Sequence, residues 1–358
     1  MFANKEGETT QSFRYAQRRK RGRRKRYVRK ARFTLRRFRR LTLRSLKIIV
    51  FCTILTPIPT HPAHNMTPVE FAYVILHYNV PQDTERCVAS IKANAADGSC
   101  AIIIVDNNSP DGSGAALARK YENDASVRVI LNKKNEGFAR GNNRGFVFAK
   151  RKLGAQFVVL MNNDTELRSK DFQRRVKEEY EASKCGVIGP RISTPSSRVS
   201  VNVAREELPR LVPELWEEVK LYINWFLSYW DLDLWVVRTI GQRGTLRGGE
   251  KAVPEGTGER REENVMLQGS CLIFTPAYVS RFDGLNPHTF LYNEENILYV
   301  RCRKSGLLTV YLPAIEVFHK EKSATGTLPL TTERKKRQFR YKHVTWSKWV
   351  LIWELLKR

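Results

Sequence analysis

From Phe71 onward, compact apolar runs of five or six residues alternate with longer stretches in which apolar positions recur at helical spacing. The runs Phe71–Leu76, Ala101–Val105, Val127–Leu131 and Phe157–Met161 read as strands buried on both faces, because they lack the polar alternation of a half-exposed strand. Between them, a stretch from Asp83 to about Asn94, then Gly114–Tyr121 and Phe138–Leu153, read as helices, the last stopped by Gly154. Strand and helix alternate with short links, which predicts a mostly parallel, doubly wound sheet covered on both faces.

The pattern breaks down from roughly Thr194. Leu211–Ile240 is aromatic and reads as helical, and Gly241–Glu263, rich in Gly and charge, reads as a mobile loop. Regular order resumes at Val265–Phe274. Tyr311–Pro313 and Ile315–Phe318 read as a short strand near His319. At the C-terminus Trp346, Trp349 and Trp353 share one helix face, with Lys348, Lys357 and Arg358 as neighbours. Two readings of that face stand: a helix packed on the domain, or an interfacial helix with its tryptophans at headgroup depth.

Length and charge change the picture at the N-terminus. The 358 residues, 42% hydrophobic, suffice for one large domain or two ordinary ones. The formal net charge is +27, but residues 1–65 hold 19 Lys and Arg against only Glu6 and Glu8. The rest of the chain is comparatively ordinary in charge. It shows no zinc finger, RNP motif or basic–aromatic platform, so no specific nucleic-acid partner is expected. Ile48–Leu55 is too short to span a bilayer, which needs about 20 residues. The preceding basic region is far longer than a signal-peptide n-region, and no clear cleavage site follows. Three readings stand: a disordered basic arm drawn to anionic lipid or RNA, a weak membrane anchor, or an overlong reading of a chain that starts at Met66; the solvated or membrane-touching arm is favoured. The six cysteines form no CxxC pair, which predicts free, mostly buried thiols in a reducing compartment.

In an open parallel sheet, ligands bind beyond the carboxyl ends of the strands. The chain places His77-Tyr78-Asn79, Asp106-Asn107-Asn108-Ser109 and Asn162-Asn163-Asp164 there, and Asn135-Glu136-Gly137 with Asn142-Asn143 at a helix start. A single acid in such a place is often a helix cap; polar residues recurring along one edge point to a site. No GxGxxG turn follows the first strand and no GxxxxGK[ST] loop is present, which argues against a dinucleotide oxidoreductase and a P-loop NTPase. A diphosphate would then need a hard divalent cation held by few carboxylates, with Asp164 the obvious ligand.

The blocks Val74–Asn79, Ile104–Ser109, Asn135–Asn143 and Leu160–Asp164, followed in order by Phe282–Leu285, Thr289–Glu295 and Val317–His319, resemble the family 2 inverting glycosyltransferases of the GT-A fold. They are most similar to the bacterial rhamnosyltransferase-like branch, over about residues 71–194 and 265–325. The resemblance implies an α/β, Rossmann-like GT-A fold, its mostly parallel sheet flanked by helices, with a C-terminal acceptor-side extension. It implies a basic arm (1–65), a nucleotide-sugar-binding half (66–194), a variable helical insert and loop (195–264), an acceptor and catalytic half (265–325) and a basic amphipathic C-terminal helix (326–358). The implied reaction moves a sugar from a UDP- or dTDP-sugar to a hydroxyl of a cell-surface glycan or lipid-linked acceptor. The implied place is the cytoplasm, peripheral at the inner face of the plasma membrane.

By the same resemblance, Asp106 would accept the imide N–H of a uracil or thymine ring, with the backbone of His77, Tyr78 and Asn79 nearby. Asn107, Asn135, Gly137, Asn142, Asn143 and Asn163 would bind the donor. Asp164 takes the last place of the Asp-x-Asp motif and would hold Mn²⁺ or Mg²⁺ on the diphosphate, with His319 completing the shell. Glu295 takes the place of the general base, with Glu294 beside it. Inversion needs such a carboxylate opposite the leaving group, to take the proton of the attacking hydroxyl. His319 also reads as a satisfied structural histidine, and the two glutamates as an acidic pair favoured by a helix N-terminus.

Two departures matter. Asn162 stands for the first acid of the metal motif, and Asn296 stands where an Asp is common. The competing reading is therefore a basic nucleic-acid- or membrane-binding protein on a catalytically inactive relative of the fold. A nucleotidyltransferase would need a Gly-rich phosphate loop after the first strand, which is missing.

Overall fold

The structure, a computed structural model, describes residues 69–95, 100–195, 208–234, 260–321 and 332–357. The basic arm expected over residues 1–65, and the expected loop up to residue 259, lie outside the described residues. The strands are β1 (Phe71–His77), β2 (Cys100–Asp106), β3 (Val127–Leu131), β4 (Phe157–Asn162), β5 (Thr165–Leu167), β6 (Val187–Ser193), β7 (Glu262–Glu263), β8 (Cys271–Phe274) and β9 (Thr309–His319). The helices are α1 (Pro81–Asn94), α2 (Ser113–Lys120), α3 (Gly137–Lys152), α4 (Phe172–Ser183), α5 (Leu211–Leu227), α6 (Pro276–Val279), α7 (Glu294–Lys304) and α8 (Glu333–Leu356). A 3₁₀ turn, Ser228–Trp230, continues α5.

The described strands form one sheet in the order β3-β2-β1-β4-β8-β6-β9-β5, with β7 also on β9. β3, β2, β1 and β4 are parallel neighbours, and β6 and β9 run the same way; β5, β7 and β8 run opposite. The sheet is thus mostly parallel, and helices cover both faces. Alternation along β1 shows why its run is continuously apolar. Phe71, Tyr73 and Ile75 join Cys87, Val88 and Ile91 of α1 and Phe172 and Val176 of α4 in one core. Ala72 and Val74 join Ala139, Phe146 and Ala149 of α3 and Leu298 of α7 in the other. Each large side chain so buried contributes about 1.5–3 kcal/mol.

Two features place the site. The chain steps from β1 outward to β2 and β3, then returns to β4 on the other side of β1. That reversal opens a crevice at the carboxyl ends of β1 and β4. In addition, α3 lies tight on the sheet. A Cβ at Gly145 would come 2.3 Å from Val74 Cγ1, and one at Gly141 2.6 Å from Leu76 Cδ1. Glycines one turn apart therefore set the helix against the end of β1.

The four expected strands and three expected helices are present with ends within two residues. The expected order over Val265–Phe274 is confined to the strand Cys271–Phe274, and the expected loop ends early, because Glu262–Glu263 pairs with β9. Between Thr165 and Ser193 the pattern concealed β5, α4 and β6; Gly189 and Pro190 interrupt the apolar run of β6. Similarly, the short strand expected near His319 is one strand of eleven residues. Its pairing with β6 jumps from Leu312–Pro190 to Glu316–Arg191. Pro313 falls in that bulge, where its missing N–H leaves no ladder bond unmade. The five described cysteines are free, four of them buried, as expected.

Candidate active site

A cavity of about 620 Å³ lies at the carboxyl edge of the sheet. Tyr78 reaches it from the end of β1, Asn107 from β2, Asn135 and Gly137 from the start of α3, and Asn163 and Asp164 from the end of β4. Glu294 and Glu295 enter from the start of α7 and His319 from the end of β9. Residues far apart in the chain therefore meet as the sequence predicts.

The other expected residues do not reach the cavity wall, and each has a physical reason. His77 is fully buried, its ring bonded to Thr84 Oγ1 (2.7 Å) and Ser113 Oγ (2.8 Å), so it ties β1 to α1 and α2. Burial holds its pKa below the ordinary range, which favours the neutral ring. Asn79 adopts the left-handed conformation at φ 56° and its N–H donates to Ser109 Oγ (2.9 Å). Asp106 accepts from the Ser109 hydroxyl (2.5 Å) and backbone N–H (3.2 Å), which stabilise its own loop. Asn142 turns back onto its helix, donating to Phe138 O. Asn143 does not line the pocket as expected, because both ends of its amide are engaged by the backbone of Leu285 (2.8 and 2.7 Å).

Asn107 organises one wall of the cavity. Its amide donates to Asn135 Oδ1 (3.0 Å) and Gly137 O (3.1 Å) and accepts from Glu136 N (3.0 Å) and Asn132 Nδ2 (3.2 Å). The loop after β2 is thus clamped to the start of α3. Gly137 has φ 79°, and a Cβ there would lie 2.4 Å from Phe290 O. The segment leading to Glu294 and Glu295 can therefore pass this close only against glycine.

Asp164 and His319 meet because β5 and β9 pair antiparallel, with Thr165 opposite His319. His319 Nε2 is 3.3 Å from Asp164 Oδ1 but out of hydrogen-bonding alignment. Both carboxylate oxygens and both ring nitrogens are buried without a hydrogen-bond partner. Buried polar atoms are normally paired, and this donor set suits a hard divalent cation. Among the described residues no third Asp, Glu, His or Cys completes a cluster, in keeping with Asn162 in the motif.

The two glutamates differ in surroundings. Glu294 is buried, Oε1 has no partner, and burial followed by the neighbouring Glu295 pushes its pKa up to about 8. Glu295 is half-buried, its pKa raised by burial, while the N–H of Gly269 donates to Oε1 (3.3 Å). A raised pKa makes stability fall with pH. Between pH 4.5 and about 8 the folded Glu294 keeps a proton that the unfolded chain releases, and above about 8 the loss levels off. Glu218 of α5, also raised to about 8 by burial, acts in the same window. Glu294→Gln is therefore expected to stabilise the protein at pH 8.5 by on the order of a few kcal/mol while changing little at pH 4.5. Urea unfolding at the two pH values checks this; equal effects at both would refute it.

The sequence model of glycosyl transferase family 2 matches residues 73–232, the span that supplies Tyr78, Asn107, Asn135, Asn163 and Asp164 to this cavity. Those residues form a family 2 glycosyltransferase domain. The chain is similar to an N-acetylglucosaminyl-diphospho-decaprenol L-rhamnosyltransferase of Mycobacterium tuberculosis, 24% identical over 294 residues, which cover 79% of this chain and 88% of the relative. Among solved structures it is similar to Staphylococcus aureus TarS bound to UDP (11% identity, TM-score 0.45), covering 70% of this chain and 60% of that one. A mannosyltransferase of Pyrobaculum calidifontis with GDP-Man and Mn²⁺ is similar at 12% identity and TM-score 0.45, with 76% of this chain and 63% of that one covered. The chain thus spans less than two thirds of either solved structure.

The chain also places residues in the cavity that the sequence pattern did not single out. Leu221 of α5, Gln268–Ser270 before β8, Tyr292, and Arg340, Tyr341 and Val344 of α8 line it. The signal in α8 was helical periodicity. Arg340, Tyr341 and Val344 lie away from the Trp346–Trp349–Trp353 face, but nothing local says which element that other face meets. Arg340 is the addition with chemical weight, a fixed cation in a cavity built around carboxylates.

Proposed function

We propose that this glycosyltransferase transfers one sugar, with inversion, from a UDP- or dTDP-sugar to a hydroxyl of a lipid-linked glycan at the cytoplasmic face of the membrane. The observation that carries the reading is the joint exposure in one cavity of the unpartnered Asp164–His319 pair and the Glu294–Glu295 pair. The mycobacterial relative is named for a diphosphodecaprenol-linked acceptor, which supports the lipid-linked class.

In the proposed reaction Glu295 takes the proton of the acceptor hydroxyl as its oxygen attacks C1. The new glycosidic bond forms as the C1–O bond to the diphosphate breaks, and the electron pair leaves with the nucleoside diphosphate. Glu295 is assigned as the base because the Gly269 N–H fixes its Oε1 at the cavity wall, whereas Glu294 lies deeper and burial pushes its pKa up to about 8. Arg340 offsets charge on the leaving group. Asp164 and His319 would hold Mn²⁺ or Mg²⁺, which supplies Lewis-acid stabilisation of the departing diphosphate. Asn107, Asn135 and Asn163 shape the donor side, while Asp106, engaged by Ser109, holds the loop that carries Asn107.

Binding is tested by melting temperature. UDP or dTDP with Mn²⁺, at a hundredfold excess over Kd, is expected to stabilise the protein by about 2.7 kcal/mol. No shift with either nucleotide would overturn the donor assignment.

A further inference from the structure

Helix α5 is turned inside out. Every exposed position along it is apolar, Trp216, Val219, Ile223 and Phe226 among them, and Trp216 is 61% exposed. Its buried positions are Glu214, Glu218, Leu221 and Asn224, polar in all but one case. The reversal continues past the helix, where Ser228 and Asp233 are buried and Tyr229 and Trp230 face out. A helix on a water-soluble domain normally does the opposite.

Helix α8 explains the inward side. Lys348 pairs with Glu214, Arg337 with Asp233 (3.0 Å), and Trp349 Nε1 donates to Tyr222 OH (3.2 Å). The outer stripe of α8 then continues the apolar surface with Trp346, Trp349 and Trp353, and exposed lysines, Lys342 and Lys357, lie at its two ends. All 7 tryptophans of the chain fall in residues 216–235 and 346–353. Nothing in the catalytic reading requires this surface.

We propose that the outward face of α5 and α8 docks on an anionic lipid bilayer, both helices lying in the headgroup region. Indole and phenol rings are the side chains that settle at that depth. The charge is complementary to anionic lipid, since the one acid of α5 with an exposed side chain, Glu217, is paired with Lys220 (2.7 Å) and the α8 stripe ends in lysines. A second copy of the chain would set lysine against lysine across the contact. No described helix is long and apolar enough to cross a membrane, so the helices lie on the surface rather than span it. The inner sides of the same helices give Leu221, Arg340, Tyr341 and Val344 to the cavity. Docking therefore sets the cavity beside the bilayer, where a lipid-borne diphosphate would present its sugar; this last step rests on the acceptor proposed above, and the docking does not.

The test uses the full chain with phosphatidylcholine vesicles, with and without phosphatidylglycerol, and with brominated acyl chains. Tryptophan emission is expected to shift to the blue and be quenched by brominated lipid when phosphatidylglycerol is present. Ile223→Glu/Phe226→Glu, at two exposed positions outside the cavity, is expected to weaken partitioning about tenfold or more. Its melting temperature and its transfer to a water-soluble, short-chain acceptor are expected to stay at wild-type values. Vesicle binding that salt releases and that leaves the tryptophans unquenched would be the work of the basic N-terminal residues alone and overturns the proposal. Equal quenching of the variant overturns it too, as does a lipid-free dimer that the substitutions dissolve. Quenching without transfer to the soluble acceptor would sink the reaction and leave the docking standing.

Discussion

Glu295→Gln is expected to lower kcat for sugar transfer by about 10²–10⁴-fold, the usual contribution of a positioned general base. The amide keeps the size of the side chain and an oxygen to accept from Gly269 N–H, so donor KM and the fold are expected to be retained. What is lost is the ability to take the acceptor proton. Stability should stay level or rise, since burial disfavours the charged carboxylate and the amide carries no charge. The wild-type enzyme should also lose kcat/KM as pH falls through a value above the ordinary glutamate range, because burial raises this pKa. Paired kcat measurements on Glu295→Gln and Glu294→Gln decide the assignment. Wild-type turnover in Glu295→Gln, with loss in Glu294→Gln, would move the base to Glu294; full turnover in both would end the carboxylate-base mechanism.

Asp164→Ala is expected to cost at least about 10²-fold in kcat, since charge stabilisation at a leaving diphosphate is worth several kcal/mol and 1.36 kcal/mol is a factor of ten. A readout independent of turnover accompanies it. The part of the UDP or dTDP thermal shift that depends on Mn²⁺ should vanish, and the metal-free part should remain. The fold should survive, because the side chain has no hydrogen bond or aligned partner to lose; removing an unpaired buried carboxylate relieves a desolvation cost. His319→Ala should act in the same direction with a smaller effect, as one neutral ligand of a weakened set. An Mn²⁺-dependent shift undiminished in Asp164→Ala would place the metal elsewhere.

Much of this site was legible in the chain because it rests on local rules. Runs such as Phe71–Leu76 and Ala101–Val105 declare buried strands, and the polar residues that follow them must then stand at the carboxyl edge. Tyr78, Asn107 and Asp164 were therefore placed at that edge without a structure, whereas Glu295 came only from the family resemblance. Asn143 misled for a physical reason: its place in the block is right, but a side chain one position along a helix points elsewhere, here into the backbone of Leu285. The meeting of His319 with Asp164 depends on the register of β5 on β9, across a pairing that no local period encodes.

Helix α5 marks the boundary between the two kinds of information. By itself the sequence determined that the aromatic stretch Leu211–Ile240 is helical, that α8 carries a tryptophan stripe, and that the apolar runs form a mostly parallel sheet with polar residues at its edge. Amphipathicity fixes two faces but not which of them turns inward. Only the tertiary structure decided that Glu214, Glu218 and Asn224 turn inward while Trp216 and Ile223 face out, and that Arg340 and Tyr341 line the cavity. The reason is that helix periodicity comes from backbone geometry within a few residues, whereas orientation comes from which distant surface offers ion pairs and hydrogen bonds, and that is settled when the chain packs.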